Sequence, residues 1–446
     1  MDKLFGTDGI RGVANRDLTP ELAFKIGRIT AWMLGRDHKN PVFLIGRDTR
    51  LSGLMLEGSL TAGIASAGGE VRLLGVASTP AVAFLTRQLG ASAGVVISAS
   101  HNPIEDNGLK IFDGRGFKLP DALEDQIEKH YFMETDQLPR PEGQSLGRVY
   151  IDGEALQTYL SHLKGSSASL SGLNLVVDCA HGAICRVAGE LLKQLGAKVR
   201  MLHDEPDGSL INVKCGATDT ADLQREVLSS GASLGLAFDG DADRLIAVDE
   251  KGAIVDGDAM MSICAVDMSK KGLLQRNTLV ATVMSNGGLD ILAEKHRLKV
   301  IRTAVGDRYV LERMVEGGFN FGGEQSGHII FSDHATTGDG LLTALQLLKV
   351  VQQEERSLSE LAAPLERLPQ VLVNQKVNTK NGWAENPRIT AAIDQIRGEL
   401  GRYGRILVRP SGTEPKIRVM IEAPLPVEKL NEYAHSLADL IAGEQS

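Results

Sequence analysis

The chain has 446 residues, 43% of them hydrophobic and 24% charged, a composition typical of an ordinary globular protein with about three or four domains. Its formal net charge of −9, without any dense run of lysine and arginine, argues against nonspecific nucleic-acid binding. The sequence begins without the apolar core of a signal peptide, and no stretch approaches the ~18 apolar residues that a membrane helix needs.

Cysteine usage indicates a reducing compartment. The cysteines are few for this length and lack metal-ligand spacing: Cys179, Cys185, Cys215 and Cys264. They are therefore expected to be reduced thiols in a cytoplasmic protein.

A strand–helix–strand–helix–strand order recurs three times along most of the chain. Apolar runs predict strands at Val42–Ile45, Val71–Leu74, Gly94–Ile97, Leu173–Val177, Lys198–Leu202, Leu234–Phe238, Thr278–Val283, Leu298–Arg302 and Phe319–Phe321. Stretches at helical spacing lie between them, such as Cys185–Leu195 and Leu289–Leu298. Near-continuous apolar strands that alternate with helices indicate parallel sheets covered on both faces.

The last segment breaks this pattern. Its predicted elements are strands Val371–Val377, Ile406–Arg409 and Ile417–Ile421 and helices Arg388–Leu400 and Val427–Ala442. We therefore predict an α/β fold with three consecutive mixed or parallel-sheet α/β domains of related topology and a smaller C-terminal α+β domain. These domains are expected to surround a central cleft, because ligands of open α/β sheets bind beyond the carboxyl ends of the strands. The predicted boundaries are 1–150, 151–253, 254–367 and 368–446.

The first polar loop, Ser98–Pro103, directly follows the apolar run Ala93–Ile97. A serine delivered onto a loop in this way can carry a phosphoryl group covalently. The same residues would also suit a simple turn that closes a buried strand, so this motif alone leaves both interpretations open.

The second loop is acidic and has the sequence Asp239-Gly240-Asp241-Ala242-Asp243-Arg244. Three carboxylates at alternate positions repel one another unless a cation lies between them, and such hard oxygen ligands suit Mg²⁺. The spacing also imitates a calcium-binding EF-hand loop, but Arg244 stands where that motif requires glycine. A catalytic divalent-metal loop is the preferred interpretation, with a solvated acidic loop as the alternative.

Two further loops follow predicted strands, Gly323–His328 and Arg409–Pro415. The second is succeeded by Lys416 and Arg418, so that backbone N–H groups, hydroxyls and guanidinium groups could together bind a phosphate dianion. A hairpin turn with surface charge is the alternative for this segment.

Taken together, these loops resemble the α-D-phosphohexomutase superfamily over essentially the whole chain. The opening Phe5-Gly6-Thr7-Asp8-Gly9-Ile10-Arg11-Gly12, the loop that begins at Ser98, and Gly323-Glu324-Gln325-Ser326-Gly327-His328 resemble a bacterial branch that acts on glucosamine phosphates. The resemblance implies an isomerase that interconverts glucosamine 1-phosphate and glucosamine 6-phosphate through a 1,6-bisphosphate intermediate. Such an enzyme supplies UDP-N-acetylglucosamine biosynthesis.

The resemblance also implies roles for individual residues. Ser100 would be the phosphoserine and, with Asp239, Asp241 and Asp243, a ligand of one Mg²⁺ per subunit. Lys110 is the first candidate for the general acid/base, supported by Arg11 and His328, and His101 would orient the serine loop. The implied substrate-binding residues are Arg244, Asp307, Glu324, Ser326, Arg409, Ser411, Gly412, Thr413 and Arg418.

Other expectations concern ligands and partners. Glucosamine 1,6-bisphosphate would be the activator. The binding partner is expected to be a small phosphosugar rather than a nucleic acid or a membrane. A homodimer is compatible with the sequence. The segment Gly46–Arg50 is expected to be structural or electrostatic. A phosphomannomutase/phosphoglucomutase of the same superfamily, a metal-dependent sugar phosphatase and a non-catalytic sugar-phosphate binder are the alternatives.

Overall fold

The computed structural model describes residues 3–6, 8–379, 381–410 and 415–445. The chain forms two compact units. The first contains Met1–Thr282 and Thr303–Ala362, and the second contains Val283–Arg302 and Ala363–Ser446. Every helix in the described part of the chain is too short or too polar to cross a membrane.

The first sheet belongs to the first unit and has the strand order β1-β5-β4-β2-β3-β6. Its strands are β1 (Ile10–Val13), β2 (Val42–Arg47), β3 (Glu70–Val76), β4 (Ala93–Ile97), β5 (Asp106–Asp113) and β6 (Val149–Ile151). The pairs β2–β3 and β2–β4 are parallel, whereas β5 runs antiparallel to β1 and β4. All residues of β4 are buried, as expected for a central strand covered on both faces.

The second sheet, also in the first unit, has the order β11-β10-β9-β7-β8. Its strands are β7 (Asn174–Asp178), β8 (Lys198–Leu202), β9 (Leu234–Phe238), β10 (Leu245–Asp249) and β11 (Ile254–Val255). Strand β7 is parallel to β8 and β9, and β10 returns antiparallel to β9. The acidic loop therefore connects β9 to β10 at the edge where parallel strands end.

A third sheet in the first unit contains β12 (Thr278–Thr282), β14 (Phe321–Gly323) and β15 (Ile329–Phe331). Strands β12 and β14 are parallel, and β15 is antiparallel to β14. Strand β13 (Lys299–Thr303) falls at the boundary between the two units.

The described residues form helices along the whole chain, and several of these helices begin at a capping residue. They are α1 (Pro20–Gly35), α2 (Gly53–Ser66), α3 (Thr79–Gln88), α4 (Asp121–Tyr131), α5 (Ala155–Ser166), α6 (Ala188–Gln194), α7 (Ala221–Ser230), α8 (Gly257–Lys270), α9 (Gly288–His296), α10 (Asp307–Gly317), α11 (Gly340–Glu354), α12 (Leu358–Ala362), α13 (Pro387–Leu400) and α14 (Val427–Glu444). Helix α1 has proline at its first position, and the Thr19 hydroxyl accepts a hydrogen bond from Leu22 N at 3.2 Å. Asp256 and Asp339 cap α8 and α11 in the same way.

The second unit is an antiparallel sheet covered by helices. Its strands are β16 (Gln370–Lys376), β17 (Arg405–Pro410) and β18 (Lys416–Glu422), in the order β16-β18-β17. A core that includes Ile389, Val419 and Leu437 joins the sheet to α13 and α14. Buried Glu422 accepts hydrogen bonds from Gly287 N at 2.8 Å and Arg405 Nε at 3.0 Å, and so ties the start of α9 to this sheet.

The α/β fold class with a small α+β carboxyl-terminal domain is confirmed. Several predicted boundaries were wrong. The strand predicted at Phe319–Phe321 is β14, Phe321–Gly323, and most other predicted strands differ by one or two residues at an end. The helix predicted from Cys185 begins at Ala188, and the helix predicted to Leu298 ends at His296 because Arg297 adopts a left-handed conformation with φ +57°. Strands β5, β10 and β15 were not predicted, because each returns antiparallel to the last strand of a repeat and lies outside the strand–helix pattern. The short strands β1, β6 and β11 were not predicted either.

Candidate active site

Ser100 lies at the turn after β4, in a left-handed conformation with φ +53° that non-glycine residues rarely adopt. Its side chain is buried, and its Oγ donates a hydrogen bond to Asp239 Oδ2 at 2.6 Å. The same oxygen lies 3.2 Å from His101 Nδ1. The structure thus brings the serine loop of the first sheet against the acidic loop of the second sheet.

A fully buried ion pair holds the serine loop in this conformation. Arg50 Nε lies 3.0 Å from Asp48 Oδ2, and the guanidinium donates to the carbonyl oxygens of Ser100 at 3.1 Å and Asn102 at 2.8 Å. Asp48 also accepts from Ser98 Oγ at 2.6 Å, and that oxygen in turn accepts from Ser100 N at 2.9 Å. The expectation that Gly46–Arg50 has a structural role is confirmed.

The acidic loop concentrates three buried carboxylates. Oxygen atoms of Asp239, Asp241 and Asp243 lie within 4.8 Å of one another. Burial and the two neighbouring carboxylates raise the pKa of Asp239 well above its ordinary value. Two of the buried oxygens, Asp241 Oδ1 and Asp243 Oδ1, have no hydrogen-bond partner among the described residues.

These features fit a divalent cation. A buried carboxylate oxygen without a partner is costly, and three clustered carboxylates are stabilised by a small doubly charged ion with oxygen ligands. Asp239, Asp241 and Asp243 could bind it directly, with the Ser100 oxygen beside Asp239 as a further donor.

Lys110 is buried against the open side of this cluster. Its Nζ lies 2.8 Å from Asp241 Oδ2, 3.1 Å from Asp243 Oδ2 and 3.2 Å from Asp8 Oδ2. Burial alone would lower the pKa of Lys110, but the three carboxylates raise it well above its ordinary value. Lys110 is therefore an ammonium group, and it lies beside the carboxylates at which a phosphoryl group would be transferred.

The Gly323–His328 loop joins the same site from the third sheet. Gly327 O accepts a hydrogen bond from Leu245 N at 3.1 Å, just after the acidic loop. His328 Nε2 lies 3.4 Å from Asp307 Oδ2 and 4.0 Å from Asp243 Oδ2. Burial works to raise the pKa of Asp243, but Lys110 and His328 outweigh it and lower this pKa to about 2.

The two sugar-recognition candidates of this loop are accessible. Glu324 is half-buried and accepts a hydrogen bond from Gly306 N at 3.0 Å, whereas Ser326 is exposed. Asp307, the first residue of α10, lies beside His328 and pairs with Lys118. The structure therefore brings together the predicted residues of the first three loops.

Arg11, His101 and Arg244 surround the serine. Arg11 donates to Asn102 Oδ1 at 3.3 Å and pairs with Asp8, and Arg244 N donates to Asp239 Oδ1 at 3.2 Å. Burial, together with Arg244 and Arg11, lowers the pKa of His101 to about 4. His101 is therefore neutral near pH 7 and can orient the Ser100 side chain through its contact with Oγ.

Sequence reasoning missed three residues of this site. Asp8 joins Arg11, Lys110 and Lys118, and the Thr79 hydroxyl donates to Asp241 Oδ2. Asp8 lies within the opening motif quoted above, so the motif itself was a signal for it. Thr79 and Lys118 lie in ordinary segments without any such signal.

The fourth loop belongs to the second unit. Ser411, Gly412 and Thr413 lie outside the described residues. Arg409 and Arg418 are register partners on the antiparallel pair β17–β18. Partial burial and then the charge of Arg418 lower the pKa of Arg409, so this pair of cations would be stabilised by an anion.

Models of the phosphoglucomutase/phosphomannomutase family match almost the whole chain. Domain I matches residues 2–138, domain II 157–252, domain III 256–368 and the C-terminal domain 372–440. A phosphoglucosamine mutase of Symbiobacterium thermophilum is 52% identical over 100% of both chains, and one of Moorella thermoacetica is 54% identical over 95% of this chain and 96% of its own. The chain belongs to the bacterial phosphoglucosamine mutases of this family. The predicted enzyme class, an isomerase, is thereby confirmed.

A solved structure shows the same fold at low sequence identity. N-acetylphosphoglucosamine mutase of Aspergillus fumigatus, solved with GlcNAc-6P and magnesium, has a TM-score of 0.72 and 20% identity. The match covers 99% of this chain and 96% of the fungal one.

Proposed function

We propose that this phosphoglucosamine mutase family member interconverts glucosamine 6-phosphate and glucosamine 1-phosphate through a phosphoserine at Ser100. The observation that carries the proposal is the buried Ser100 hydroxyl, 2.6 Å from one member of a carboxylate triad that contains unpartnered oxygens. Phosphoserine donates its phosphoryl group to the free hydroxyl of the sugar and forms glucosamine 1,6-bisphosphate. The bisphosphate then reorients and returns its other phosphoryl group to Ser100, so that one difficult migration becomes two in-line transfers.

We propose Mg²⁺ as the cation of the Asp239, Asp241 and Asp243 triad. When bound, it supplies electrostatic stabilisation of charge that develops on the transferring phosphoryl group. The fungal relative solved with magnesium is consistent with this choice.

Lys110 and Arg244 contribute positive charge around the reacting group. When the sugar hydroxyl attacks phosphorus, the proton that it loses must replace the phosphoryl group on the Ser100 oxygen. Lys110 Nζ can relay this proton, donating one to the Ser100 oxygen and taking up the one that the sugar hydroxyl loses. Neutral His101 holds the serine loop from the other side, 3.2 Å from Ser100 Oγ. Arg11 acts through its ion pair with Asp8. His328 acts through Asp307, whose Oδ2 lies 3.4 Å from His328 Nε2.

Sugar recognition is assigned to Glu324, Ser326 and Asp307. A carboxylate and a hydroxyl can hydrogen-bond to ring substituents whichever end of the sugar carries the reacting phosphate. Arg409 and Arg418, with Ser411, Gly412 and Thr413, are assigned to the phosphate that does not react. These roles correspond to four domains with boundaries 1–150, 151–253, 254–367 and 368–446.

Intact-mass analysis of purified protein tests the covalent scheme. We expect a fraction carrying one added phosphoryl group that maps to Ser100, and complete loss of that fraction in Ser100→Ala. Ser209→Ala is the control, because it removes an exposed hydroxyl that bonds to nearby Asp207 and leaves the proposed nucleophile undisturbed. Wild-type mutase turnover in Ser100→Ala would refute the scheme.

A coupled assay tests the substrate. Glucosamine, glucose and mannose phosphates are compared, each with a trace of the matching bisphosphate. Preference for mannose would overturn the glucosamine assignment but leave the family intact. Net release of inorganic phosphate without sugar isomerisation would favour the phosphatase alternative.

We also propose that the enzyme works as a cytoplasmic homodimer. The four cysteines are free and buried, which suits a reducing compartment. Strand β6 lies at the edge of the first sheet and exposes Val149 by 46%, Tyr150 by 44% and Ile151 by 87%. Unprotected apolar edges of this kind invite pairing with another strand, and a second copy of the chain offers an identical edge.

A further inference from the structure

A second cluster of metal-ligating side chains lies in the second sheet, apart from the acidic loop. Asp178 ends β7, His203 directly follows the neighbouring strand β8, and Cys215 precedes the turn at Gly216. One ligand atom from each lies within 4.8 Å of the others. We call these three residues the Asp–His–Cys cluster.

Hydrogen bonds fix the carboxylate of this cluster in place. Ala180 N donates to Asp178 Oδ1 and Gly216 N donates to Asp178 Oδ2, both at 2.9 Å. Asp178 and Cys215 are fully buried. The carboxylate and the thiol are therefore held inside the first unit, whereas His203 is partly exposed.

His203 lies directly against the carboxylate of the cluster. Its Nδ1 lies 3.1 Å from Asp178 Oδ2, so this nitrogen points at the position that a shared metal ion would occupy. Its other nitrogen, Nε2, lies 3.5 Å from the carboxylate of Asp222 on α7. A metal-bound histidine usually directs one ring nitrogen at the other ligands and has a carboxylate beside the second nitrogen, and His203 has both features.

The backbone around the cluster is also unusual. His203 has φ +48° and Ala180 has φ +52°, values that cost energy for residues other than glycine. Ligand atoms of a tetrahedral zinc site lie roughly 3.3–3.8 Å apart, so only a small contraction of the cluster would be needed. Carboxylate, imidazole and thiolate together favour Zn²⁺ over Mg²⁺.

We propose that Asp178, His203 and Cys215 bind a stabilising Zn²⁺ ion, with water at the fourth position of the tetrahedron. The site would fasten the segment between β8 and Cys215, which approaches the serine loop. Within that segment, Asn212 Nδ2 donates to Ser100 O at 2.9 Å, and a Cβ added at Gly208 would lie 2.0 Å from Thr49 O. Zinc at this position would thus stabilise the conformation of Ser100, the proposed phosphoryl carrier, without contacting the substrate.

Zinc counting under excess magnesium is the direct test. Wild-type protein is loaded with Zn²⁺, dialysed against buffer with excess Mg²⁺, and analysed for metal by mass spectrometry. We expect one Zn²⁺ per chain in wild type and in Asp241→Asn, which disables the acidic loop. Cys215→Ser should bind Zn²⁺ at least about tenfold more weakly, and Asp222→Asn about tenfold to a hundredfold more weakly.

Cobalt substitution reports on the ligands themselves. Co²⁺ should give a near-ultraviolet thiolate-to-metal absorption band in wild type and in Cys264→Ser, which removes another buried thiol. The band should disappear in Cys215→Ser. Zn²⁺ should also raise the Tm of wild type but not that of Cys215→Ser, because a ligand that binds only the folded state stabilises it.

Three results would overturn the proposal. Wild type could retain no more Zn²⁺ than Cys215→Ser, which would leave only an Asp178–His203 pair. The Co²⁺ spectrum could lack a thiolate band, or the band could be lost in Cys185→Ser and kept in Cys215→Ser. If Cys215→Ser does not fold, Asp222→Asn decides, since unchanged Zn²⁺ affinity in that variant contradicts the proposed geometry.

Discussion

Individual residues in this site are governed by the charge around them. Lys110, fully buried, is kept as an ammonium group by Asp241, Asp243 and Asp8, while His101 is kept neutral by burial and by nearby arginines. Within one site, therefore, Lys110 is held in its charged form and His101 in its neutral form. This separation is what a site that donates protons and stabilises phosphoryl charge requires.

Arg409 provides the residue-scale prediction. A charge-assisted hydrogen bond to phosphate contributes roughly 1.5–3 kcal/mol, so Arg409→Ala should raise KM about tenfold to a hundredfold. Uniform binding along the reaction path should leave kcat less affected. The bisphosphate intermediate should also escape more often, so the variant should depend more on added glucosamine 1,6-bisphosphate.

Steady-state kinetics with and without bisphosphate measures this effect. Arg397→Ala is the control, because Arg397 is an exposed arginine of the same unit that pairs with Asp394, three residues before it, at 2.6 Å. Wild-type KM and unchanged bisphosphate demand in Arg409→Ala would show that this loop is only a turn.

At the scale of elements, the site depends on turns that dock against neighbouring strands. The turn between β14 and β15 has Gly327 at φ +92°, and a Cβ there would lie only 2.0 Å from Leu245 O. The glycine is needed for both its conformation and its close approach to β10. This contact places Glu324 and His328 beside the acidic loop.

Gly327→Ala should therefore destabilise the protein by about 1–3 kcal/mol and lower activity, through backbone strain and displacement of the loop. Gly398→Ala in α13 is the matched control, since a Cβ there meets no atom within 4 Å. This change should instead stabilise by about 1 kcal/mol, the difference in helix propensity. Urea unfolding of both variants provides the measurement, and equal stabilities of Gly327→Ala and wild type would contradict the docking argument.

A second element-scale prediction concerns the start of α11. Burial raises the pKa of its capping residue, Asp339, to about 6, even though Asp339 accepts hydrogen bonds from Leu342 N at 2.9 Å and Tyr159 Oη at 2.8 Å. The folded state therefore binds this proton more tightly than the unfolded state does. The contribution of the Asp339 proton to the free energy of unfolding is complete below about pH 4 and is lost as pH rises through 6.

Asp339→Asn should remove this dependence, because asparagine keeps a carbonyl acceptor but cannot ionise. Relative to wild type, the variant should gain about 3 kcal/mol of unfolding free energy between pH 4 and pH 7.5. Urea titrations at several pH values, with a chelator to keep metal out of the acidic loop, measure the difference. A stability difference that is independent of pH would contradict the prediction.

At the scale of the whole molecule, β6 leaves an apolar edge that a second copy could cover. Antiparallel pairing of two β6 strands about Tyr150 would place Val149 opposite Ile151 of the second copy. The same register would place exposed Arg148 opposite Asp152, so the edge is complementary to itself in charge as well as in shape.

Sedimentation velocity should therefore show a dimer for wild type and a monomer for Ile151→Lys, which places a charged side chain opposite Val149 of the second copy and removes the most exposed apolar residue of the edge. Leu228→Lys, which changes an exposed leucine on α7, should remain dimeric. A monomeric wild type, or a dimeric Ile151→Lys, would refute pairing through β6.

Local sequence determined most elements and the chemistry of each loop. The runs at β8 and β9 matched the observed strands residue for residue, because the apolar pattern that predicts a strand lies within a few adjacent residues. The serine, the three aspartates and the Gly323–His328 loop were identifiable for the same reason: each is a compact motif whose meaning depends on a few adjacent residues.

Tertiary structure alone decided how these motifs combine. Ser100 meets Asp239 across 139 positions, and Lys110 meets Asp241 across 131, distances over which no periodicity or turn signal carries information. The same holds for Thr79 and for the Asp–His–Cys cluster, whose cysteine shows no metal-ligand spacing along the chain. Packing of whole sheets and helices sets these contacts, and burial at those contacts then shifts the pKa values on which the chemistry depends.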